Sequence, residues 1–100
     1  MAKPTFSGEA RDEFDAAHDY YLARSVPAAV GFDAAVDRAL ATLEAFPGIG
    51  TPVGAGHRRQ PVPRYPFGLV YRLTDDGRVR VVGVPHDRQL PVDWSTRDRP

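Results

Sequence analysis

The chain has 100 residues, 13 basic and 13 acidic side chains and no cysteine, so its formal net charge is zero at pH 7. The length predicts a single domain over residues 1–100. The missing cysteine excludes disulfides and thiolate metal sites. No apolar run approaches the roughly 18 residues that a membrane span needs. The first residues lack the apolar core of a signal peptide, so we expect a cytoplasmic protein with no membrane partner.

The zero net charge conceals a difference between the two halves of the chain. Residues 1–50 carry four basic and eight acidic side chains, whereas residues 51–100 carry nine basic and five acidic ones. One interpretation is a basic face that binds an anionic partner. The alternative is that surface acids lie on helices and surface arginines on strands, without a functional role.

The first half of the chain predicts a short strand and two amphipathic helices. Residues 3–6 fit a strand, which Pro4 confines to an edge or to a strand start. Ser7 suits the N-cap of a helix over residues 8–24 with an apolar stripe of Ala10, Phe14, Ala17 and Tyr21. Ser25 and Pro27 suit the start of a second helix, which Pro47 ends and whose stripe is Phe32, Val36, Ala39, Leu43 and Phe46. The short connection predicts an antiparallel hairpin of helices.

The second half predicts a connector and then three strands. Residues 47–57 are rich in glycine and proline but lack the G-x-x-x-x-G-K-[ST] pattern of a phosphate-binding loop. Strands are expected over residues 58–64, 68–73 and 78–84, the first of them at an edge or bulged because of its prolines. The elements together predict an α+β fold, with the helical hairpin packed on an antiparallel sheet of three or four strands. Residues 95–100 are expected to fray.

The faces of the last two strands depend on the turn between them, Asp75-Asp76-Gly77. If Asp76-Gly77 is a two-residue loop, Arg72 lies opposite Val81 and Tyr71 opposite Val82. The face toward the helices then carries Leu69, Tyr71, Val82 and Val84. The other face carries Val70, Arg72, Val79 and Val81. A longer loop would shift this register.

In its order of elements the chain resembles the ParE/RelE superfamily of toxins from bacterial type II toxin–antitoxin (plasmid addiction) modules. The matching features are Ala10 to Phe14, Tyr20-Tyr21, the stripe from Phe32 to Leu43, Phe46 to Gly50, Arg58-Arg59, Tyr65 to Phe67, Val70 to Arg72, Val82 to Val84, His86, Arg88, Pro91 and Trp94. The resemblance implies a β-α-α-β-β-β fold and a cognate antitoxin that neutralises the toxin and alone contacts operator DNA. No cofactor is expected, and His18 and His57 lack partners at metal-ligand spacing.

The superfamily divides by activity, and the resemblance here is closer to ParE-type members, which are associated with poisoning DNA gyrase by binding. RelE-type members are ribosome-dependent endonucleases that cut mRNA and often carry a lysine-rich catalytic set, whereas this chain has one lysine, Lys3. The leading hypothesis is therefore a non-enzymatic gyrase inhibitor. The alternatives are a ribosome-dependent mRNA endonuclease and an inactive relative that retains antitoxin binding.

Residues of the second half are the candidates for target binding: Arg59, Arg64, Arg72, His86, Arg88 and Trp94. In an endonuclease, a histidine would activate a ribose 2′-OH and arginines would stabilise the phosphorane charge. The catalytic set would then be Arg59, Arg72, His86 and Arg88. His86 also has a structural interpretation, as a residue packed against Phe67 or Trp94. Trp94 either anchors the C-terminal segment on the core or lies at a partner interface.

Apolar residues at the edges of the helix stripes are candidates for antitoxin binding. Tyr21 continues the stripe of the first helix, which leaves Tyr20 exposed. The predicted set is Tyr20, Leu22, Val26 and Leu40. Such a surface can stay open until a partner covers it, although scattered surface apolar residues are also ordinary.

Overall fold

The structure is a computed structural model that describes residues 3–98. Its elements are β1 (Thr5–Phe6), α1 (Gly8–Leu22), α2 (Val26–Ala45), β2 (Thr51–Gly54), β3 (His57–Pro61), β4 (Gly68–Leu73), β5 (Val79–Gly83) and a 3-10 helix (Trp94–Thr96). The strands form one sheet in the order β1-β5-β4-β3-β2, antiparallel except that β1 runs parallel to β5. The predicted α+β fold is confirmed, with five strands rather than three or four. No helix within residues 3–98 is long and apolar enough to span a membrane.

Both helices begin at the serines that the sequence indicates. Ser7 Oγ accepts a hydrogen bond from Ala10 N, and Ser25 Oγ accepts one from Ala28 N, each at 3.1 Å. These side chains satisfy backbone N–H groups that have no partner inside the helix, and each such cap stabilises a helix by about 1 kcal/mol. The predicted helix starts are therefore confirmed.

The main core lies between the helices and one face of the sheet. Rings of both helices stack within it: the centroid of Phe32 lies 5.8 Å from that of Phe14 and 5.1 Å from that of Tyr21. The predicted stripes face this core, with the exception of Phe46, which is 64% exposed. Phe46 is the C-cap of α2, and its backbone (φ −136°, ψ 73°) has left the helical conformation, so its side chain no longer follows the stripe.

Strand β2 lies within the segment that the sequence predicts as a connector. It pairs antiparallel with β3, Thr51 lying opposite Arg59, and all four of its residues are exposed. An exposed edge strand carries no alternation of apolar and polar residues, so the prediction of a plain connector is wrong here. Two glycines of this segment allow the turn between the two strands: Gly54 at the end of β2 and Gly56 just before β3 have φ of 91° and 76°.

The turn between β4 and β5 is longer than two residues. Thr74 N donates to Arg78 O at 2.8 Å, and the register places Arg72 opposite Arg80 and Tyr71 opposite Val81. The conditional face assignment is consequently wrong for three valines of β5. Val79 and Val81 pack in the main core, whereas Val82 packs with Val70 on the opposite face. We call that opposite face of the sheet the outer face.

After β5 the chain returns across the outer face. Trp94 is buried there against Val70, Val82 and Val92, which confirms that it anchors the segment. Residues 92–98, which we call the strap, stay on this face up to Asp98. The structure differs in this respect from the predicted fraying of residues 95–100, because Arg97 and Asp98 form ion pairs. Residues 99 and 100 lie outside the described residues.

Candidate interaction surface

Arginines of three adjacent strands share the outer face. Arg59 lies opposite Val70, and Arg72 lies opposite Arg80. Directly opposed residues of antiparallel strands project to the same face, as do residues two apart along one strand. Arg80 is absent from the predicted target-binding set. A two-residue loop would turn it away from Arg72, whereas the longer turn places the two arginines opposite each other.

A carboxylate of the strap binds two of these arginines. Arg80 donates from Nε to Asp98 Oδ2 at 2.7 Å and from Nη2 to Asp98 Oδ1 at 2.9 Å. Arg72 donates from Nη2 to Asp98 Oδ2 at 3.2 Å. These contacts, chiefly the hydrogen bonds from Arg80, hold the pKa of Asp98 below its ordinary value, and the bond to Asp98 raises the pKa of Arg80. Arg72 and Arg80 therefore share one carboxylate of their own chain.

Arg59 is also held by a carboxylate. Its Nη2 lies 2.5 Å from Oδ1 of Asp87. The guanidinium passes over β4 at Gly68, where a Cβ atom would lie 2.5 Å from Cζ of Arg59. Glycine at this position therefore permits the close approach that brings Arg59 to Asp87.

His86 packs as its structural interpretation predicts. It forms a bridge with Phe67, and the two rings meet edge to face with centroids 5.0 Å apart. Its Nδ1 accepts a hydrogen bond from Arg88 N at 3.0 Å, so the neutral ring carries its proton on Nε2. The imidazole is oriented by an aromatic neighbour and a backbone amide.

Arg64 and Arg88 are the exposed cations of the predicted set. Neither side chain forms an ion pair with any residue in the range 3–98. Arg64 has a φ of 70° in the turn after β3, and Arg88 follows β5. Asp87 N donates to Pro66 O at 2.8 Å and joins these two loops at one end of the sheet.

The four residues of the alternative catalytic set do not converge on one point. Arg59, His86, Asp87 and Trp94 border the same cleft, whose volume is about 340 Å³. Arg72 of β4 lies five residues along the chain from Phe67, the bridge partner of His86 just before β4, which corresponds to roughly 16 Å at ~3.3 Å per residue of extended backbone. The structure therefore groups Arg59 with His86 and places Arg72 with the strap.

The predicted antitoxin-binding residues lie mostly at the turn between the helices. Tyr20, Leu22 and Val26 are exposed, whereas Leu40 is half-buried against the main core. A second cleft, of about 450 Å³, extends from Tyr20 past Phe67 to His86. His86 thus borders both clefts and connects the end of the helical hairpin with the loops that carry Arg64 and Arg88.

Comparison with known proteins agrees with this fold. A family described as "ParE toxin of type II toxin-antitoxin system, parDE" matches residues 5–91. No curated protein gives a significant match. Among solved structures, a chain of the chromosomal ParDE TA system from P. aeruginosa aligns with a TM-score of 0.73, covering 86% of this chain and 96% of that chain at 20% sequence identity. At this identity the structural likeness shows the fold alone, whereas the family match covers most of the chain.

Proposed function

This chain belongs to the ParE toxin family of type II toxin–antitoxin systems, and we propose that it stops growth by binding DNA gyrase and is neutralised by a cognate antitoxin. The match over residues 5–91 is the observation that carries this proposal. Contact with operator DNA is made only by the antitoxin.

The geometry around His86 favours binding over phosphodiester cleavage. A general base and the cations that stabilise a phosphorane must lie within hydrogen-bond reach of the same reacting group. Here Nδ1 of His86 is engaged by a backbone amide, and Arg59 and Arg72 are paired with separate aspartates. These groups are therefore engaged in packing and ion pairing.

The target-binding surface in this proposal is the end of the sheet that carries Arg64, His86 and Arg88. Its exposed guanidinium groups lie on loops joined by the Asp87–Pro66 hydrogen bond. Arg is enriched where protein interfaces concentrate their binding energy, and exposed arginines also accelerate association with an acidic partner surface. Arg59 and Trp94 support this surface from the adjoining cleft.

The antitoxin in this proposal covers the turn between the helices. Tyr20, Leu22 and Val26 expose apolar surface there, and an amphipathic segment of a partner can bury it. Because the cleft beside Tyr20 reaches His86, an antitoxin seated at this turn also approaches the target-binding surface. Neutralisation then follows from steric exclusion of the target.

The deciding experiment is induced expression with and without the antitoxin, followed by measurement of the DNA-damage response and of intact mRNA. Growth arrest with filamentation, DNA-damage induction and unbroken mRNA supports gyrase as the target. Rapid cleavage of mRNA at ribosome-occupied codons would instead establish the endonuclease. A folded protein with no effect on growth would establish an inactive relative.

A further inference from the structure

The turn that carries His86 and Arg88 is fastened to the rest of the protein at the residue between them, Asp87. The Asp87 amide donates to Pro66 O at 2.8 Å, and Oδ1 of its carboxylate lies 2.5 Å from Nη2 of Arg59. Asp87 therefore holds a loop of the target-binding surface twice, once through its backbone and once through its side chain.

The backbone anchor continues the pairing of β4 and β5 beyond the two strands. Gly68 N donates to Pro85 O at 3.0 Å on one side of the Phe67–His86 bridge, and Asp87 N donates on the other side. The end of a ladder opens more readily than its middle. A second anchor at Asp87 consequently acts where the backbone pairing is weakest.

The side-chain anchor reaches across a whole strand. Arg59 belongs to β3 and Asp87 follows β5, so the guanidinium passes over β4, which lies between them in the sheet. It does so at Gly68, where a Cβ atom would lie 2.5 Å from Cζ, 2.6 Å from Nε and 2.8 Å from Nη2 of Arg59. The absence of a side chain at this position is therefore a condition for the contact between Arg59 and Asp87.

The exposure of the ion pair indicates a geometric role. The side chain of Arg59 is 28% exposed and that of Asp87 is 52% exposed. An ion pair this close to solvent contributes little to the free energy of unfolding. Its main effect is to restrict the positions of the turn and of the side chains beside it, which lowers the entropy cost of binding a partner.

We propose that Arg59 and Asp87 are positioning residues, whose ion pair fixes the turn of residues 86–89 against the sheet. His86 and Arg88 on this turn meet the target, whereas Arg59 acts through Asp87 and does not contact the target itself. The sequence predicts Arg59 as a target contact, so its role changes here. The inference rests on the proposed target-binding surface, but it does not depend on which target binds there.

Cancellation of charge would be a different role for Arg59. An unpaired carboxylate at Asp87 would repel an acidic partner, and the guanidinium would offset that repulsion. Asp87→Asn removes the charge together with the ion pair, so in that case it would bind the target as well as the unmodified protein or better. If the pair positions the turn, the same substitution weakens binding.

The test is growth inhibition after induction of Gly68→Ala, Arg59→Gln and Asp87→Asn in the full chain. Gly68→Ala is the sharpest of the three, because it alters no charge and the atoms nearest to its methyl group are the end of a flexible side chain. For each variant, the amount of protein that halves the viable count should rise about fivefold. Combining any two should cause no further loss, because all three remove the same contact. Gly8→Ala is the control, since its Cβ atom meets nothing within 4 Å, and it should leave inhibition unchanged.

Three results of this test would overturn the proposal. A further loss when Arg59→Gln is added to Asp87→Asn would show that Arg59 contacts the target. Full inhibition by folded Gly68→Ala and Arg59→Gln would show that the ion pair does not position the surface. Inhibition by Asp87→Asn at or above that of the unmodified protein would show that the pair only cancels charge.

A second measurement needs no target and separates this inference from the proposed function. Hydrogen exchange should show the Asp87 amide opening about threefold to fivefold faster in Gly68→Ala and in Arg59→Gln, while the amide of Leu43 in α2 keeps its rate. An unchanged rate for Asp87 in both variants would show that the backbone anchor alone holds the turn, and would overturn the proposal. The expected exchange in a protein that does not bind gyrase would support the positioning role and refute the proposed target.

Discussion

Glu13 of α1 and Arg97 of the strap form a paired contact around the edge of the sheet. Nη1 of Arg97 lies 3.0 Å from Oε1 of Glu13, and Nη2 lies 3.2 Å from Oε2. Oε1 of Glu13 also accepts a hydrogen bond from Val84 N at 2.9 Å. One carboxylate therefore connects the first helix, the end of β5 and the strap, which are far apart in the sequence.

Glu13→Ala should lower the free energy of unfolding by about 1–3 kcal/mol, because it leaves the Val84 amide and the half-buried Arg97 without their acceptor. Denaturant unfolding measures the change. The matched control is Glu9→Ala: Glu9 also contacts Arg97, at 3.2 Å, but its side chain is 58% exposed. Its loss should cost roughly 0–1 kcal/mol. Equal costs for the two substitutions would contradict the central role of Glu13.

Leu43→Ala should destabilise the protein by about 2–5 kcal/mol, since Leu43 is fully buried in the main core and its truncation leaves a cavity. Phe46→Ala serves as the control from the same predicted stripe. Because Phe46 is exposed, its truncation should change the free energy of unfolding by roughly 0.5 kcal/mol or less. A large loss for Phe46→Ala would mean that this ring packs in the core after all.

The sequence predicts those features that are encoded within a few residues. The two helices follow from apolar residues at helical spacing after Ser7 and Ser25, and β4 and β5 follow from their apolar runs on either side of Asp76-Gly77. Strand β2 could not be predicted from its own residues, because it is an exposed edge strand that buries none of its side chains. Its pairing depends on β3 rather than on its own residues.

The arginine contacts could not be predicted, because they depend on long-range register. Asp98 meets Arg72 and Arg80 only after the β4–β5 turn has set their strands in line and the strap has crossed the outer face. Charge counting therefore indicates a basic half of the chain, whereas the folded outer face is close to neutral. His86 against Phe67, by contrast, follows from an aromatic residue beside each strand end.

The pair of His18 on α1 and Asp33 on α2 should make the stability of the helical hairpin depend on pH. Nδ1 of His18 lies 2.8 Å from Oδ1 of Asp33, and this hydrogen bond raises the pKa of His18 above its ordinary value of 6.5. A raised pKa in the folded state means stabilisation that is fully present below about pH 6.5 and is lost as the pH rises through the raised value. The free energy of unfolding, determined at about pH 5.5 and at about pH 8.5 on either side of the histidine titration, measures this stabilisation. Asp33→Asn should abolish this part of the pH dependence, and an unchanged profile would exclude the pair as its source.

Arg64→Ala combined with Arg88→Ala should reduce growth inhibition and gyrase binding while leaving the free energy of unfolding within about 0.5 kcal/mol, because both side chains are exposed. Arg11→Ala is the matched control, an exposed arginine on α1 whose guanidinium pairs with Asp15 and lies over the Phe14 ring. Viable counts after induction and binding to purified gyrase measure the effect. Full toxicity of the folded double variant would place the target-binding surface elsewhere.

Gly83→Ala should expel the indole of Trp94 from the outer face, because the added Cβ atom would lie 2.3 Å from Cζ3 of the ring and 2.7 Å from Cη2. Trp94 is the sole tryptophan of the chain, so its fluorescence reports this site alone. The emission should shift to longer wavelength and become more accessible to a quencher, while the helix content measured by circular dichroism stays unchanged. Gly48→Ala is the control, since a Cβ atom there meets nothing within 4 Å. An emission spectrum for Gly83→Ala that matches the unmodified protein would mean that the indole shifts to make room for the Cβ atom and stays buried on the outer face.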